Sequence, residues 1–265
     1  MNIIYWSPHL SEKIATVKAV LYSAISISKF SNKQRKTFII NAIGEWYSKE
    51  DELKKNNVEM INFIASSNLY KNLPRDSYFK SRCSYIFIYL YCFLKLLNFL
   101  KKKEPEYFIF HLISSLPLTL LILFNFKTRF ILRISGLPKM NFLRKFLWKM
   151  SSQKIYKVIC PTEATYLDLL NNGIFEKGKL CIVNDPVLVS SEIVKNKSKF
   201  FDTDKIVEAN KNKFILGIGR LSKQKNFNFL IKNFVDIKKK YPFLKLIILG
   251  EGEESYQGRR STDPH

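Results

Sequence analysis

Short apolar runs alternate with amphipathic segments along most of the chain. Runs of four to seven apolar residues such as 155–160 predict strands, and segments with apolar residues three and four positions apart, such as 163–171, predict helices. This alternation is typical of βαβ units, in which helices cover both faces of a parallel sheet. The predicted strands are 2–6, 37–41, 58–64, 107–112, 128–134, 155–160, 179–183, 214–218 and 244–249. The first predicted helix is capped by Ser11, and the others are 49–56, 85–100, 116–124, 143–152, 163–171 and 227–240.

A polar stretch divides this α/β alternation into two parts. Residues 195–212 are charged and weakly periodic, which is typical of a linker. Residues 253–265 show no hydrophobic pattern, so we expect a disordered tail. We therefore predict a complete N-terminal Rossmann-like domain over residues 1–194, and over residues 213–252 the first βαβ part of a second domain.

Two apolar stretches raise the question of a membrane span. The first, 85–100, is interrupted by Lys95 and followed by three lysines. The second, 107–126, contains a Ser-Ser-Leu-Pro sequence at 114–117, so a strand, a turn and a helix account for it better than one spanning helix. The apolar run at the N-terminus is too short for a signal peptide and has no basic residues before it.

Charge restricts the classes of partner. The 265 residues include 44 Lys+Arg and 22 Asp+Glu, a net charge of +22. Between Lys101 and Cys160, twelve cationic residues are opposed only by Glu104 and Glu106. Such a patch suits nucleic acid, an anionic leaflet or phosphorylated small molecules. Because no helix-turn-helix, zinc or RRM signature accompanies the charge, nucleic-acid binding is the least favoured of the three.

Cysteine and histidine spacing does not indicate a metal site. The four cysteines include no C-x-x-C pair and the three histidines are scattered. Each cysteine lies in an apolar run, so we expect buried thiols in a reducing cytoplasm, and neither a disulfide framework nor a metal.

The segment 214–225 carries the most specific chemistry. Its sequence, Phe-Ile-Leu-Gly-Ile-Gly-Arg-Leu-Ser-Lys-Gln-Lys, runs from a strand through a glycine turn into a helix, where backbone N–H groups favour an anion. Gly219 permits close approach of the backbone to a ligand, and Arg220 and Lys225 could clamp a diphosphate. A surface turn with solvated charges fits the same spacing equally well. Neither a P-loop nor a G-x-G-x-x-G sequence is present.

This segment resembles part of a known family. Three features carry the resemblance: the sequence Gly-Arg-Leu-Ser-x-x-Lys at 219–225, the helix that stops at Tyr241-Pro242, and the strand end at 246–253 (Leu-Ile-Ile-Leu-Gly-Glu-Gly-Glu). Together they resemble the start of the donor-binding domain of family 4 glycosyltransferases. Residues 158–163 and 179–186 resemble the end of the acceptor domain less specifically. The resemblance implies a GT-B-like architecture with two Rossmann-like domains, the C-terminal one holding a nucleotide-sugar and the N-terminal one the acceptor.

The resemblance also implies roles for four residues. Gly219, Arg220 and Lys225 would bind the donor diphosphate and stabilise the charge that develops on the leaving group, with no metal. His111, at the end of the strand 107–112, would face the donor sugar as a catalytic residue, although its sequence fits a buried core histidine equally well. The implied activity is that of a retaining hexosyltransferase that uses a UDP- or GDP-sugar as substrate and no cofactor, in bacterial capsule or O-antigen biosynthesis.

Two departures from the family bear on activity. The loop after the first strand, Trp6 to Ser11, lacks the usual glycines, and no Glu-x7-Glu pair follows Gly250. We therefore expect a C-terminally truncated chain, and an inactive remnant of such an enzyme is the alternative interpretation.

The acceptor side combines apolar and basic character. The segments 85–103 and 142–154 mix aromatic, aliphatic and basic residues in a pattern typical of helices that bind anionic leaflets, although a core helix with a solvated face explains each one separately. Together with the charge they predict peripheral attachment to the inner face of the cell membrane and a lipid-linked oligosaccharide acceptor, with no nucleic-acid partner.

Overall fold

The chain folds into two units, Met1–Val189 and Ser190–His265. The predicted linker, 195–212, lies outside the residues that the structure describes, and so does the predicted tail, 253–265, apart from Glu254. The computed structural model describes residues 2–12, 14–31, 35–75, 77–186, 213–252 and 254.

The N-terminal unit is built on a parallel sheet of seven strands, in the order β3-β2-β1-β4-β5-β6-β7. The strand order runs outward from β1 in both directions, as it does in Rossmann-like folds. This confirms the predicted α/β class, and the observed strand ends lie within two residues of the predicted ones. The strands are β1 (Asn2–Trp6), β2 (Lys36–Asn41), β3 (Val58–Asn62), β4 (Tyr107–Phe110), β5 (Arg129–Arg133), β6 (Ile155–Cys160) and β7 (Leu180–Ile182).

Helices cover both faces of this sheet because alternate strand residues point to opposite sides. Ile4 and Trp6 belong to one buried apolar cluster, and Ile3 and Tyr5 belong to the other. The first cluster packs against α4, α5, α6 and α7, and the second packs against α1 and α2. The helices are α1 (Ala15–Phe30), α2 (Glu50–Lys55), α3 (Asn68–Asn72), α4 (Tyr78–Lys103), α5 (Ser115–Leu123), α6 (Phe142–Ser151) and α7 (Glu163–Asn171).

The start of α1 differs from the prediction. The helix begins at Ala15 with Ile14 as its N-cap and has no side-chain cap, so the predicted cap at Ser11 is wrong. The preceding loop is fixed instead by Leu10, whose side chain is buried and whose carbonyl oxygen accepts a hydrogen bond from Arg75 at 3.0 Å.

Two further expectations are corrected. α4 begins at Tyr78, seven residues before the predicted start, because Ser77 Oγ accepts a hydrogen bond from the backbone N–H of Lys80 and caps the helix there. Cys83 is exposed in this added part of the helix and Cys181 is only half-buried, whereas Cys92 and Cys160 are buried as expected.

Within the described residues, the segment Phe79–Lys103 of α4 is the one helix long and apolar enough to cross a membrane. A third of its most apolar window, 33%, is buried, and Ile88, Cys92 and Leu96 pack on the sheet. Core helices of soluble proteins meet the same criteria of length and apolar composition. The second apolar stretch forms β4, a turn and α5, as predicted.

The described residues of the C-terminal unit, 213–252 and 254, contain one βαβ element. β8 (Phe214–Ile218) and β9 (Lys245–Leu249) are parallel, and α8 (Phe227–Lys240) connects them. α8 packs closely on one face of the pair, because a Cβ at Gly217 would lie 2.8 Å from Cε1 of Phe227. The predicted helix and β8 have the observed bounds.

Candidate functional site

The turn after β8 is held in place by the chain that follows β9. The backbone N–H of Gly219 donates to the carbonyl oxygen of Leu249 at 3.0 Å, and that of Leu221 donates to Glu251 at 2.9 Å. The turn therefore continues the parallel pairing of β8 and β9 beyond their ends, and its backbone has a defined position.

Two glycines after β9 make this close backbone packing possible. A Cβ at Gly250 would lie 1.8 Å from the carbonyl oxygen of Gly219, and a Cβ at Gly252 would lie 2.1 Å from that of Leu221. Neither position tolerates a side chain unless the turn moves. The Gly-Glu-Gly sequence is thus explained by backbone packing against the predicted diphosphate-binding turn.

The structure brings Gly219, Arg220 and Lys225 together in one turn. Both cationic side chains are exposed, and the Cδ atom of Lys225 lies 3.7 Å from the Cβ position of Gly219. The turn ends at Asn226, which adopts the left-handed conformation (φ 51°) at the N-cap of α8. The carboxyl end of a parallel strand, a helix N-terminus and two cations therefore occupy one place, which is the arrangement that anion sites use.

His111 lies at the switch point of the larger sheet. It is the first residue after β4, beside β1, where the strand order reverses. Its N–H donates to the carbonyl oxygen of Trp6 at 2.9 Å, and its Nδ1 is hydrogen-bonded to Ser135 Oγ at 3.2 Å. The side chain is 7% exposed, and among the described residues Nε2 has no hydrogen-bond partner. His111 belongs to the N-terminal unit, whereas the turn with Arg220 belongs to the other unit.

Burial and a neighbouring cation keep the His111 ring neutral. Desolvation, with a smaller contribution from the Arg133 guanidinium, lowers the pKa of His111 to about 3. At neutral pH the ring can therefore donate or accept hydrogen bonds, but it carries no charge.

Arg133 is itself part of a buried polar group that the sequence pattern did not reveal. The guanidinium is 3% exposed, forms an ion pair with Asp185 and donates to Ser23 Oγ at 3.1 Å. The Ser23 hydroxyl is also hydrogen-bonded to Tyr5 at 2.8 Å, and burial raises the pKa of Tyr5 to about 12. The sequence signal for this group was a cationic residue, Arg133, at the end of an apolar strand, because such a residue needs a polar partner when it is buried.

A second buried group lies where β1 and β2 end. His9 is 1% exposed and stands edge-on to Trp46 with ring centroids 5.0 Å apart, and burial lowers its pKa to about 4. The Glu45 carboxylate accepts hydrogen bonds from the backbone N–H groups of Ala42 and Ile43 at 3.2 and 2.8 Å, yet burial raises its pKa to about 7. Both side chains fix loops at the carboxyl edge of the sheet.

Metal binding has no support in the described residues. None of their His, Cys, Asp and Glu side chains form a group of three or more that could hold a metal ion. At the turn after β8, Arg220, Lys225 and backbone N–H groups are the groups suited to an anion.

Comparison with known proteins gives one family match. Residues 198–263 match the model described as Glycosyl transferases group 1, and these residues contain Gly219, Arg220 and Lys225. No curated protein sequence matches the chain.

Solved structures show the fold. The chain is similar to an E. coli structure described as trehalose-6-phosphate bound with UDP-2-fluoro glucose (TM-score 0.60, 12% identity, covering 98% of this chain and 68% of that one). It is also similar to an S. aureus TarM mutant in complex with Fondaparinux, alpha-GlcNAc-glycerol and UDP (TM-score 0.58, 14% identity, covering 98% of this chain and 74% of that one). A third similar structure is Anabaena Alr3699/HepE in complex with UDP (TM-score 0.52, 11% identity, covering 98% of this chain and 63% of that one).

These similarities define the architecture of the chain. At such identities they establish the fold alone, which is that of GT-B glycosyltransferases and epimerases. The chain spans less than two thirds of the length of several of these neighbours, for example 63% and 64% of two of them. The group 1 match covers residues 198–263, and the GT-B neighbours cover 98% of the chain.

Proposed function

We propose that this protein transfers a sugar from a UDP- or GDP-sugar to an acceptor with retention of configuration, as a family 4 glycosyltransferase. The observation that carries the proposal is the turn after β8, where Gly219, Arg220 and Lys225 surround a helix N-terminus within the segment that matches group 1 glycosyltransferases. Neighbours of the same fold are described as bound to UDP or to a UDP-sugar, which supports a nucleotide-sugar as donor.

In this proposal the turn binds the donor diphosphate. When the bond between the sugar and the diphosphate breaks, negative charge develops on the leaving oxygen. Arg220 supplies a planar fork of N–H donors, and Lys225 supplies a second positive charge from the other end of the turn. Both stabilise the leaving group electrostatically, so the reaction requires neither a metal nor a cofactor.

His111 is the proposed catalytic residue of the acceptor side. Ser135 is hydrogen-bonded to Nδ1, and in this proposal the second ring nitrogen, Nε2, which is buried without a partner among the described residues, bonds a sugar hydroxyl when the substrate enters. Because the pKa of His111 is lowered to about 3, the ring acts at neutral pH as a hydrogen-bonding group and not as a cation.

We extend the proposal to the acceptor and the location. α4 and α6 combine exposed apolar side chains such as Leu90 and Phe146 with cationic ones. This composition supports peripheral attachment to the inner face of the cell membrane and a lipid-linked acceptor of surface polysaccharide, of the capsule or O-antigen type.

Nucleotide binding by a charge variant of the turn tests the proposal. Removing the guanidinium in Arg220→Ala should weaken UDP or GDP binding about tenfold or more in calorimetry, since charge-assisted hydrogen bonds to phosphate are lost. Lys240→Ala is the matched control, because it removes one exposed cation from the far end of α8. Equal affinity in both variants contradicts the donor site. Nucleotide binding without sugar transfer favours the alternative of an inactive remnant.

A further inference from the structure

A groove with a volume of about 730 Å³ opens in the N-terminal unit between α4 and α6. Tyr85 and Ile86 form one wall, Leu147 and Trp148 form the other, and Leu118 of α5 lies at its base. A volume of roughly 300–1,000 Å³ is the usual range for small-molecule sites, which is smaller than a protein partner would need.

Apolar surface continues from the groove along both helices. Ile86 and Leu90 of α4 are 60% and 67% exposed, and Leu143 and Phe146 of α6 are 63% and 51% exposed. Large aliphatic and aromatic side chains are exposed together in this way where a protein meets an apolar partner. The groove is therefore the deepest part of a larger apolar surface.

The same region is strongly cationic. The first turns of α4 contain Lys80 and Arg82, α6 contains Arg144, Lys145 and Lys149, and none of α4, α5 and α6 contains Asp or Glu. Arg82 and Arg144 line the groove itself, and hydroxyls of Ser81 and Ser115 lie among the other lining residues. An occupant that suits both the apolar walls and these cations has an apolar chain and an anionic head.

The groove leads towards His111. Its lining includes residues 112–115, the segment that directly follows His111. α4 precedes β4, and its last turn leads into the start of that strand, so its first turns lie at the carboxyl edge of the sheet. These first turns are the ones that line the groove. A molecule bound along the groove can therefore present its head next to the proposed acceptor site.

We propose that this groove binds the apolar chain of a lipid phosphate that has a single chain, and that Arg82 and Arg144 contact its phosphate groups. The inference rests on the proposed function, because the same lipid would carry the acceptor sugar to His111. It assigns the lipid to the groove, whereas attachment to a membrane surface alone would need only the exposed faces of the helices.

Farnesyl diphosphate is a suitable soluble probe, since it combines one apolar chain with a diphosphate. Binding to the full chain should be detectable by calorimetry and by a change in tryptophan fluorescence, because Trp148 lines the groove. Inorganic diphosphate should bind at least about tenfold more weakly, since it lacks the chain. Ile86→Glu places a charge in the groove wall and should weaken farnesyl diphosphate binding about tenfold or more.

Leu94→Glu is the matched control for the groove. Leu94 is 65% exposed on the same helix but does not line the groove, so its affinity for farnesyl diphosphate should stay within about twofold of the unmodified protein. Absence of farnesyl diphosphate binding overturns the inference. Equal losses in both variants do so as well, because they indicate a flat contact surface, and so does binding to anionic vesicles only.

A parallel titration with UDP and GDP separates this inference from the proposed function. UDP depends on the turn that contains Arg220 and not on the groove. If UDP binds and farnesyl diphosphate does not, the groove assignment is wrong while the donor site stands. If farnesyl diphosphate binds and neither UDP nor GDP does, the lipid site stands and the glycosyltransferase assignment is wrong.

Discussion

Gly219 and Gly250 lie against each other across the turn after β8, but they are glycines for different reasons. A Cβ at Gly250 would lie 1.8 Å from a backbone oxygen of the turn, whereas a Cβ at Gly219 would be 3.5 Å from its nearest neighbour, a ring atom of Phe227. Of these two positions, packing therefore requires a glycine only at Gly250. At Gly219 a Cβ would make only ordinary van der Waals contacts, and the proposal places the diphosphate against the backbone of this part of the turn.

We expect the two glycine-to-alanine variants to separate stability from binding. Gly250→Ala should destabilise the chain by about 2 kcal/mol, because the turn must move to admit the Cβ. Gly219→Ala should leave stability within about 0.5 kcal/mol and still weaken nucleotide binding. Urea unfolding and calorimetry measure the two quantities. Full nucleotide affinity in Gly219→Ala would count against a ligand that approaches the backbone there.

Glu45 should make stability depend on pH. Burial raises its pKa from 4.5 to about 7, so the folded state binds a proton more tightly than the unfolded state. Its contribution is fully present below pH 4.5 and is lost as pH rises to about 7, a change of about 3 kcal/mol. Glu45→Gln removes the titration, so the difference in stability between variant and unmodified protein should change across this window.

Urea midpoints at about pH 4.5 and about pH 7.5, which bracket the raised pKa, measure the effect of Glu45. Glu176→Gln is the control, because this glutamate is exposed, and it should follow the unmodified protein at both values. A constant difference between Glu45→Gln and the unmodified protein at the two pH values would mean that Glu45 titrates normally in the folded state.

At the residue scale, the sequence predicts best what depends on neighbours in the chain. The turn from Gly219 to Lys225 is local, so spacing alone brings its residues together. Arg133 and Asp185 are 52 positions apart, and only the order of β5, β6 and β7 brings them into contact. No local pattern encodes such a pair, so the sequence alone does not predict it.

For helices and strands too, the sequence predicts what depends on neighbours in the chain better than what depends on tertiary contacts. Strands are predicted within two residues because most are short and largely apolar, and in the seven-stranded sheet helices cover both faces. The predicted start of α1 is wrong because tertiary contacts of Leu10 hold the preceding loop in place. The predicted start of α4 is late because its cap, Ser77, precedes an exposed turn with little apolar periodicity.

The ion pair between Arg133 and Asp185 connects β5 with the segment after β7, and its two members should respond differently to removal. Asp185→Ala leaves a buried guanidinium that still donates to Ser23 but has lost its counter-charge, so it should cost about 2 kcal/mol. Arg133→Met should cost less than about 1 kcal/mol, because it fills the same space and leaves a carboxylate that is 28% exposed to water.

A double-mutant cycle in urea tests this asymmetry. The double variant should be no less stable than Asp185→Ala alone, because the unpaired cation is then absent. Equal costs for the two single variants would show that both members of the pair contribute equally to stability, and that leaving Arg133 buried without its carboxylate carries no extra cost.

At the scale of the whole molecule, the basic residues without acidic neighbours in sequence are concentrated in α4 and α6. These two helices and α5 carry no acidic residue, whereas α7 on the same face contains Glu163 and Asp168, and α2 on the other face contains Glu50, Asp51 and Glu52. Some cations of the basic segment serve local structure. For example, Lys127 pairs with Glu104, and Arg133 is buried. The net charge of +22 therefore overstates what a partner can contact, and the face formed by α4 and α6 is where charge and exposed apolar side chains coincide.

Vesicle binding tests whether that face attaches the protein to membranes. Lys145 and Lys149 are exposed on α6, and each lysine close to an anionic surface contributes about 1 kcal/mol. Reversing both charges (Lys145→Glu with Lys149→Glu) should therefore weaken sedimentation with vesicles that contain phosphatidylglycerol by about tenfold or more at moderate salt. Lys18→Glu with Lys29→Glu makes the same change in net charge on α1, which packs on the opposite face, and should retain most of the binding.

If both double variants lose binding equally, attraction depends on net charge alone and the protein has no preferred membrane face. If only the α6 variant loses it, the apolar surface around Leu143 and Phe146 meets the leaflet, and a lipid can enter the groove directly from the membrane.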